Sequence, residues 1–532
     1  MKRFKSTTVS ALSLLFLLLV LPISSVHAGE TDSPRVLHRG NSTEPVTLDP
    51  HKSEDVSSGN ILRDLYEGLV TEDATGKLIP GAAEKWSISD DGLHYTFQLR
   101  NCLAWSNGEA LTAADFIFSL RRALDPETAA PMADLLAPIV NAREVMSGSM
   151  PVEQLGVEMP DSHTLIIHLQ HPAPWFLQVL SHPVAFPVYA TSLVKNGDKA
   201  FSPGNLASNG SWQLQQWVPY EKLVLQRNSA HYNSDKTSFD QVIYYPIDSS
   251  NNEFSRYRAG EFDWTDTIPP NKLAWINKNL PGEAFISPYL GTYYYGFNLT
   301  RAPFKNNNDL RKALSLAIDR SIITEKILAN GEIPAAGWLS PGLLPETQHP
   351  SSSREDQLKQ AREFYKKAGY SRDKPLRTTL HYNSSEQNKR IAVAITSMWK
   401  KNLGIQVELI NEEWKVFLNR RKSKVETQLY RASWIADYND AGSFLSLFTS
   451  NHAKNDTGYA NPDYDALINQ IETTMDEVKR GELIQQAEQL LLEDQVIIPI
   501  YHYVSRHLVK PYIKGYQANP LDHHYSRDMY RN

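Results

Sequence analysis

The chain has 532 residues, a formal net charge of −6, 41% hydrophobic residues and 10% aromatic residues. This length exceeds what one hydrophobic core holds, so we expect several domain-sized units. The small net charge and the lack of a basic stripe give no support for nucleic-acid binding. The only cysteine, Cys102, leaves no intramolecular disulfide, and packing must therefore hold the core.

The N-terminal segment has the pattern of a secretory signal peptide. Met1–Lys5 is basic, the apolar run Leu12–Ile23 is too short to span a bilayer, and Val26 and Ala28 supply small residues before a cleavage site. We expect cleavage near Ala28 and a soluble, exported product. No cysteine follows the cut, so we expect no lipid anchor. The alternative is an uncleaved membrane anchor.

The first half of the mature chain predicts short strands mixed with helices. His94–Arg100 alternates apolar and polar residues, which is typical of a strand. Thr112 with Asp115 has the pattern of a capping box at the start of a helix. These features predict a mixed α+β domain over about 67–190. The following region is strand-rich, with candidate strands at 212–214, 223–225 and 241–245.

The second half has a different texture, in which helices alternate with strands. A strand, a helix, a stop and a second strand are predicted at 376–382, 387–402, Gly404 and 405–410. This βαβ unit indicates a partly parallel sheet in an α/β domain. Strands near 287–295 and 496–504 are expected to cross between two lobes. Two crossings favour a hinge over a loose tether.

The stretch 430–440 combines charge and aromatic surface at a strand end. Tyr430, Ala432 and Trp434 alternate with Arg431 and Ser433, which places the two sets on opposite faces of a strand. The strand-like pattern breaks at an aspartate, residue 437. This combination suits a site that grips a small polar chain. The alternative is a buried tryptophan with a structural ion pair between arginine and aspartate.

Catalytic signatures are missing from the sequence. It contains no GxSxG, HExxH or GxxxxGK[ST] motif and no cysteine beside a plausible base. Carboxylates are plentiful, but nothing marks a catalytic pair. The adjacent His523 and His524 are expected to be surface residues rather than metal ligands. We therefore expect neither an enzyme nor a metal or cofactor.

Several segments resemble the periplasmic oligopeptide-binding proteins of Gram-negative bacteria and their murein-peptide-binding relatives. They follow the same order through essentially the whole mature chain, at 48–52, 63–69, 105–108, 292–295, 411–415 and 431–439. The resemblance implies an α/β fold, a two-lobed periplasmic clamshell of three domains with mixed β-sheets flanked by helices. After a signal peptide over 1–28, the implied domains are I (29–66, 191–290 and 505–532), II (67–190) and III, the second lobe (291–504).

The same resemblance implies a peptide-binding site. Asp437 matches the carboxylate that binds the α-ammonium group of the ligand, a charge-assisted contact worth about 1.5 to 3 kcal/mol. Pairing with the ligand backbone is implied for Ser433, Trp434 and Ile435 on one lobe and for Glu54, Asp55 and Val56 on the other. Such main-chain pairing gives affinity without reading side chains. The remaining implied contacts are the aromatic walls Trp414 and Trp434, the cleft tyrosines Tyr289 and Tyr294, and the cleft arginines Arg421 and Arg431.

Departures from the family pattern suggest a different ligand length. A disulfide of the oligopeptide-binding proteins falls at Gly291 and Ile435, where both cysteines are missing. Their basic contacts to the ligand carboxylate fall at Leu328 and Asn388, and a cleft tyrosine falls at Met132. We hypothesise that carboxylate recognition rests more on the two cleft arginines, which favours a short or unusual peptide such as a cell-wall tripeptide.

The resemblance implies a monomeric periplasmic receptor. It would capture short peptides in a cleft between the lobes and deliver them to an ABC permease in the inner membrane, without a cofactor. Alternatives within the fold are a binder of murein tripeptide or of a non-peptide solute. Outside it they are a secreted hydrolase and a periplasmic chaperone or sensor; a chaperone would show an exposed apolar patch and no closed cavity.

Overall fold

A computed structural model describes residues 34–344 and 353–531. The signal-peptide prediction lies outside these residues. The strands are β1 Val36–Gly40, β2 Val70–Glu72, β3 Leu78–Pro80, β4 Ala83–Ile88, β5 His94–Leu99, β6 Val157–Asp161, β7 Thr164–His168, β8 Trp212–Val218, β9 Lys222–Arg227, β10 Gln241–Tyr245, β11 Ala284–Phe297, β12 Ile333–Pro334, β13 Arg377–Asn383, β14 Gln406–Glu412, β15 Leu429–Ile435, β16 Ile497–Leu508, β17 Ile513–Lys514 and β18 Tyr530–Arg531.

Helices lie between these strands and vary from single turns to five turns. They are α1 Val56–Leu65, α2 Ala113–Leu124, α3 Ala142–Met146, α4 Phe176–Val179, α5 Ala190–Asn196, α6 Ser250–Arg258, α7 Leu273–Asn279, α8 Asn308–Leu316, α9 Arg320–Ile322, α10 Arg354–Lys367, α11 Glu386–Leu403, α12 Trp414–Ser423, α13 Gly442–Leu445, α14 Pro462–Thr473 and α15 Glu477–Glu493. Within the described ranges, every helix is too short or too polar to cross a membrane.

Three larger sheets form the framework of the two-lobed α/β clamshell. The first has the order β1-β10-β9-β8 and the second the order β4-β5-β7-β6. The third is a mixed six-stranded sheet with the order β12-β16-β11-β15-β13-β14. In this sheet β13 runs parallel to β14, and α11 connects them. The predicted βαβ unit is therefore confirmed, as are the strands expected at 212–214, 223–225 and 241–245.

Local sequence signals start and end the helices as expected. Asp115 Oδ2 accepts a hydrogen bond from the backbone N–H of Thr112 at 2.8 Å, which forms the predicted capping box of α2. Gly404 ends α11 in a left-handed conformation with φ of 80°, which glycine adopts without steric strain. A tight turn thus leads directly from α11 into β14.

Two long strands, β11 and β16, pair with each other and connect different parts of the core. Their antiparallel register is interrupted between Pro288 and Thr292. Leu508, at the end of β16, packs with Phe254 and the helices near it, whereas the opposite end of β16 packs with the six-stranded sheet. These strands lie where the two crossings were predicted. The exact domain limits and the hinge remain predictions.

Candidate functional site

A cavity of about 280 Å³ lies between the end of β15, in the six-stranded sheet, and elements that surround the sheet of β1. The segment 435–437 and Tyr289 line it from the six-stranded sheet and β11. The other lining residues are 39–40, 53–56, 59–60, 63, 132, 182–183, 264, 266, 507 and 521–524. The cavity therefore brings together the N-terminal strand, the start of α1 and the C-terminal segment.

Strand β15 places its side chains as the alternation predicted. Tyr430, Ala432 and Trp434 pack against one hydrophobic cluster. Arg431 points the other way, where its guanidinium lies 4.8 Å from the ring centre of Tyr293. The strand pairs with β11 on one side and β13 on the other, which fixes this orientation. The chain leaves the sheet after Ile435 and enters the cavity wall.

Asp437 lines the cavity. Its backbone N–H donates to Ser443 Oγ at 3.2 Å. Within the described part of the chain this carboxylate forms no salt bridge, whereas Arg421 pairs with Asp456 and Arg480 pairs with Asp440. Burial raises the pKa of Asp437, and the positive charge of Lys454 opposes this effect. The alternative of an internal Arg–Asp ion pair at this carboxylate is not observed.

Arg431 is a second charged group without an opposite charge beside it. Its Nη2 donates to Tyr503 Oη at 3.4 Å and its Nη1 to Asn383 Oδ1 at 3.5 Å, both long contacts. Its Nε is buried without a hydrogen-bond partner. No carboxylate of residues 34–344 or 353–531 forms a salt bridge with it. Arg431 does not line the 280 Å³ cavity, so its contact with a ligand stays a prediction.

Half of the predicted peptide-binding residues meet at the cavity. They are Asp437, Ile435, Tyr289, Glu54, Asp55 and Val56. Asp55 also caps α1, since its Oδ1 accepts from Ser58 N–H at 2.8 Å. The approach to α1 is thereby held at the cavity wall.

The other predicted residues do not line this cavity. Tyr294 is 6% exposed and packs edge-on against Trp338 in the core. Trp434 lies under the ammonium group of Lys454, 5.1 Å from its ring centre, and Trp414 is exposed at the start of α12. Arg421 is engaged by Asp456 at 2.6 Å. For these residues, as for Ser433 and Arg431, a role in binding is still a prediction.

The expectation that His523 and His524 are surface residues is wrong. Both line the cavity, and His524 is only 5% exposed. The C-terminal segment folds back across β1, where Arg39 Nη1 donates to the carbonyl oxygen of His524 at 3.1 Å. Asn519 holds the turn by accepting from His523 N–H at 2.9 Å. No periodicity marks this non-local contact, although the paired histidines themselves were visible in the sequence.

Arg63 is a cavity residue that the sequence did not single out as functional. Its Nη2 donates to His523 Nε2 at 2.6 Å, and His523 Nδ1 in turn lies 2.8 Å from Glu72 Oε2. Because the guanidinium has no acceptor, His523 must carry its proton on Nδ1 and donate it to Glu72. These hydrogen bonds from Arg63 through His523 to Glu72 orient the Arg63 guanidinium at the cavity wall.

The two-lobed fold with a charged cavity between separate sheets defines a solute-binding clamshell. The sequence profile of the bacterial extracellular solute-binding proteins, family 5, matches residues 77–456. The chain is 40% identical to the periplasmic oligopeptide-binding protein OppA of Escherichia coli (strain K12), over 95% of this chain and 94% of that protein. It is 39% identical to the periplasmic murein peptide-binding protein MppA of the same strain, over 96% of this chain and 97% of that protein.

A comparison with a solved structure agrees with these sequence matches. OppA of Haemophilus influenzae in complex with RPPGFSPFR superimposes with a TM-score of 0.78 at 37% identity, and the match covers 94% of this chain and 99% of that chain. The protein therefore belongs to the bacterial extracellular solute-binding proteins, family 5.

Proposed function

We propose that this protein is a periplasmic receptor that binds short peptides in the cavity and delivers them to an ABC permease of the inner membrane. The observation that carries the proposal is Asp437, a carboxylate at the cavity wall that forms no salt bridge with any residue in the described ranges. A partly buried charge without a partner destabilises a protein, and an incoming ammonium group supplies the missing charge. The amino group of a peptide fits this requirement.

The two walls of the cavity also suit an extended peptide. Ile435 continues directly from β15, and Glu54 and Asp55 form the non-helical approach to α1, which begins at Val56, on the other wall. Main-chain pairing with such segments is sequence-independent, so it supports binding of peptides with different side chains. A volume of 280 Å³ lies just below the range of about 300 to 1,000 Å³ for ligand sites, which favours a short ligand.

A peptide with additional carboxylates is the second candidate ligand. Arg63 lines the cavity, and it forms no salt bridge with any residue that the structure describes. A murein tripeptide would bring both an amine and extra carboxylates, and one relative is named as a murein peptide-binding protein. We expect no catalysis, a monomeric protein, and export to the periplasm after cleavage near Ala28.

Calorimetry with matched peptides tests the proposal. Tri- to pentapeptides with free amino ends are expected to bind to the wild type, whereas their acetylated forms bind much more weakly. Asp437→Asn should lower affinity for the free-amine peptides by roughly 10- to 100-fold, the equivalent of a charged hydrogen bond of about 1.5 to 3 kcal/mol. The difference between free and acetylated peptides should then disappear.

The control is Asp373→Asn, which removes an exposed carboxylate far along the chain and should leave affinity unchanged. Equal affinity of wild type for free and acetylated peptides would contradict the role of Asp437. Failure to bind any peptide, while native mass spectrometry shows a different co-purified solute, would contradict the peptide class itself.

A further inference from the structure

Two histidines and an aspartate converge at one corner of the cavity. His507 Nε2 lies 2.9 and 3.0 Å from the two carboxylate oxygens of Asp522, and His524 Nε2 lies 2.9 Å from Oδ1. One donor atom from each residue falls within 4.8 Å of the others. His507 and His524 are buried, and all three residues line the cavity. We call these residues the C-terminal triad.

The imidazole rings are held in fixed orientations by the surrounding protein. His507 Nδ1 lies 3.0 Å from the carbonyl oxygen of Thr265, an interaction in which the ring nitrogen donates. This leaves Nε2 of His507 directed at Asp522. The ring of Trp264 packs edge-on against both histidines, with centres 5.8 and 5.2 Å away. Rigid support of this kind is what orients metal-binding histidines.

On the side away from Asp522, the His524 ring faces the side-chain amide of Asn519. Its Nδ1 lies 3.5 Å from the amide nitrogen of Asn519, a distance too long for a strong hydrogen bond. When Nε2 binds an ion the ring proton must move to Nδ1, which ends this weak contact, while the Asn519 amide keeps its donation to the carbonyl oxygen of His523 at 2.7 Å. Asp266 lines the same cavity and adds a further carboxylate near His507. Arg39 opposes a cation here, but it is engaged by Tyr244, Ser526 and Asp64.

We propose that the C-terminal triad binds one divalent transition-metal ion of the zinc class, with its remaining coordination position open to the cavity. Two imidazole nitrogens and one carboxylate oxygen are a donor set that such ions prefer. An ion at about 2.0 to 2.2 Å from each donor requires the Asp522 carboxylate to move slightly away from both histidines, because its oxygens lie 2.9 to 3.0 Å from their Nε2 atoms. Binding of the ion does not require that the ligand be a peptide.

In the absence of an ion the same atoms can form a hydrogen-bonded network around Asp522. The experiment must therefore separate a metal site from a purely structural cluster. Chelator-treated protein is titrated with Zn²⁺ by calorimetry and with Co²⁺ by visible absorption. We expect one ion per chain and the ligand-field bands of low-coordinate Co²⁺.

Conservative variants test which residues hold the ion. His507→Gln, His524→Gln and Asp522→Asn should each lower Zn²⁺ affinity at least tenfold, and the Co²⁺ bands should disappear. The matched control is the double variant His94→Gln/His168→Gln, which removes another imidazole pair, with Nδ1 atoms 2.8 Å apart on a partly exposed sheet face. This control should bind Zn²⁺ as the wild type does.

A measurement on the unaltered protein covers the case in which a triad variant fails to fold. Zn²⁺ should protect His507 and His524 from an imidazole-modifying reagent, as read by peptide mass spectrometry, whereas His94 should react equally with and without the ion. Absence of stoichiometric Zn²⁺ binding would overturn the proposal. So would binding that persists in folded triad variants or is lost in the control. Loss of peptide binding alone would leave the metal site standing, because the two are measured separately.

Discussion

At the residue scale, the charged side chains predicted to bind the ligand differ in whether the protein supplies an opposite charge. Asp437 has no salt bridge among the residues described, and burial raises its pKa. The family resemblance implied the same role for Arg421 and Arg431, but the two arginines differ in whether a carboxylate pairs with them. Arg421 is held by Asp456, and Arg431 by long contacts to neutral groups only. The two arginines should therefore respond differently to substitution.

Arg421→Ala is expected to lower the free energy of unfolding by about 1 to 3 kcal/mol, because it leaves the largely buried Asp456 without a partner. Arg431→Gln should have a smaller effect on stability. It should weaken binding of peptides with a free C-terminal carboxylate, and binding of the amidated peptides should not change. Urea unfolding and calorimetry measure the two effects. A loss of affinity only in Arg421→Ala would reverse the assignment.

Glu253 is expected to make the stability of the protein depend on pH. It accepts a hydrogen bond from Asp266 N–H at 2.6 Å, and burial raises its pKa to about 8, with Asp266 adding to the effect. The folded protein then holds a proton that the unfolded chain releases. Stability should accordingly fall as the pH rises from the ordinary range of a glutamate, near 4.5, to about 8.

Glu253→Gln should remove this pH dependence, since the amide cannot ionise. Relative to the wild type, the variant should gain stability between pH 5 and pH 8 by an amount on the order of a few kcal/mol. Urea unfolding at the two pH values measures the gain. Glu482→Gln, an exposed carboxylate, is the control and should follow the wild type. Parallel curves for the wild type and Glu253→Gln would show that Glu253 is ionised in the fold.

At the scale of elements, the pairing of β11 with β15 decides where the site opens. The register places Gly291 opposite Ile435, just before the chain turns into the cavity at Asp437. These are the positions at which the resemblance implied a missing disulfide. A Cβ built on Gly291 would lie 3.2 Å from Ile435 Cγ1, so the two positions are close enough for a covalent bridge.

The double variant Gly291→Cys/Ile435→Cys, in a Cys102→Ser background, is expected to form a disulfide spontaneously under oxidising conditions. It should raise the free energy of unfolding by about 2 to 4 kcal/mol, a typical effect for a bridge that closes a long loop. Thiol titration and melting with and without reductant measure the bridge. Two free thiols under oxidising conditions would contradict the register.

At the scale of the whole molecule, the long strands β11 and β16 run from one hydrophobic cluster to another. Leu508 packs in one cluster and Ile498 in another, although both belong to β16. The irregular register at Pro288 to Thr292 lies between these ends. A clamshell of this kind closes by bending a few residues at such crossings, while each lobe moves as a unit.

Closure should be visible in solution. Saturating free-amine peptide is expected to lower the radius of gyration measured by small-angle X-ray scattering. The acetylated peptide at the same concentration should have no effect. Asp437→Asn should also remain in the unliganded shape under these conditions. A radius that does not change when calorimetry shows full occupancy would indicate that the lobes do not close.

Much of this architecture could be predicted from the sequence, because it depends on local patterns. The alternation from Tyr430 to Trp434 predicted the faces of β15, and Thr112 with Asp115 predicted the start of α2. The family resemblance pointed to Asp437, which does lie at the cavity. Period and spacing record which face of an element meets a core, so these features needed no knowledge of the rest of the chain.

Only the tertiary structure decided which distant residues meet. His523 bonds Glu72 across 451 positions, and Arg63 bonds His523 across 460. Such contacts leave no periodic trace, which is why the histidine pair was assigned to the surface. Tyr294 packs against Trp338, and Arg421 forms a salt bridge with Asp456. Both contacts depend on neighbours that no local sequence pattern identifies. The sequence by itself determined the elements and the family, whereas the folding of the C-terminal segment onto β1 and α1 decided the chemistry of the cavity.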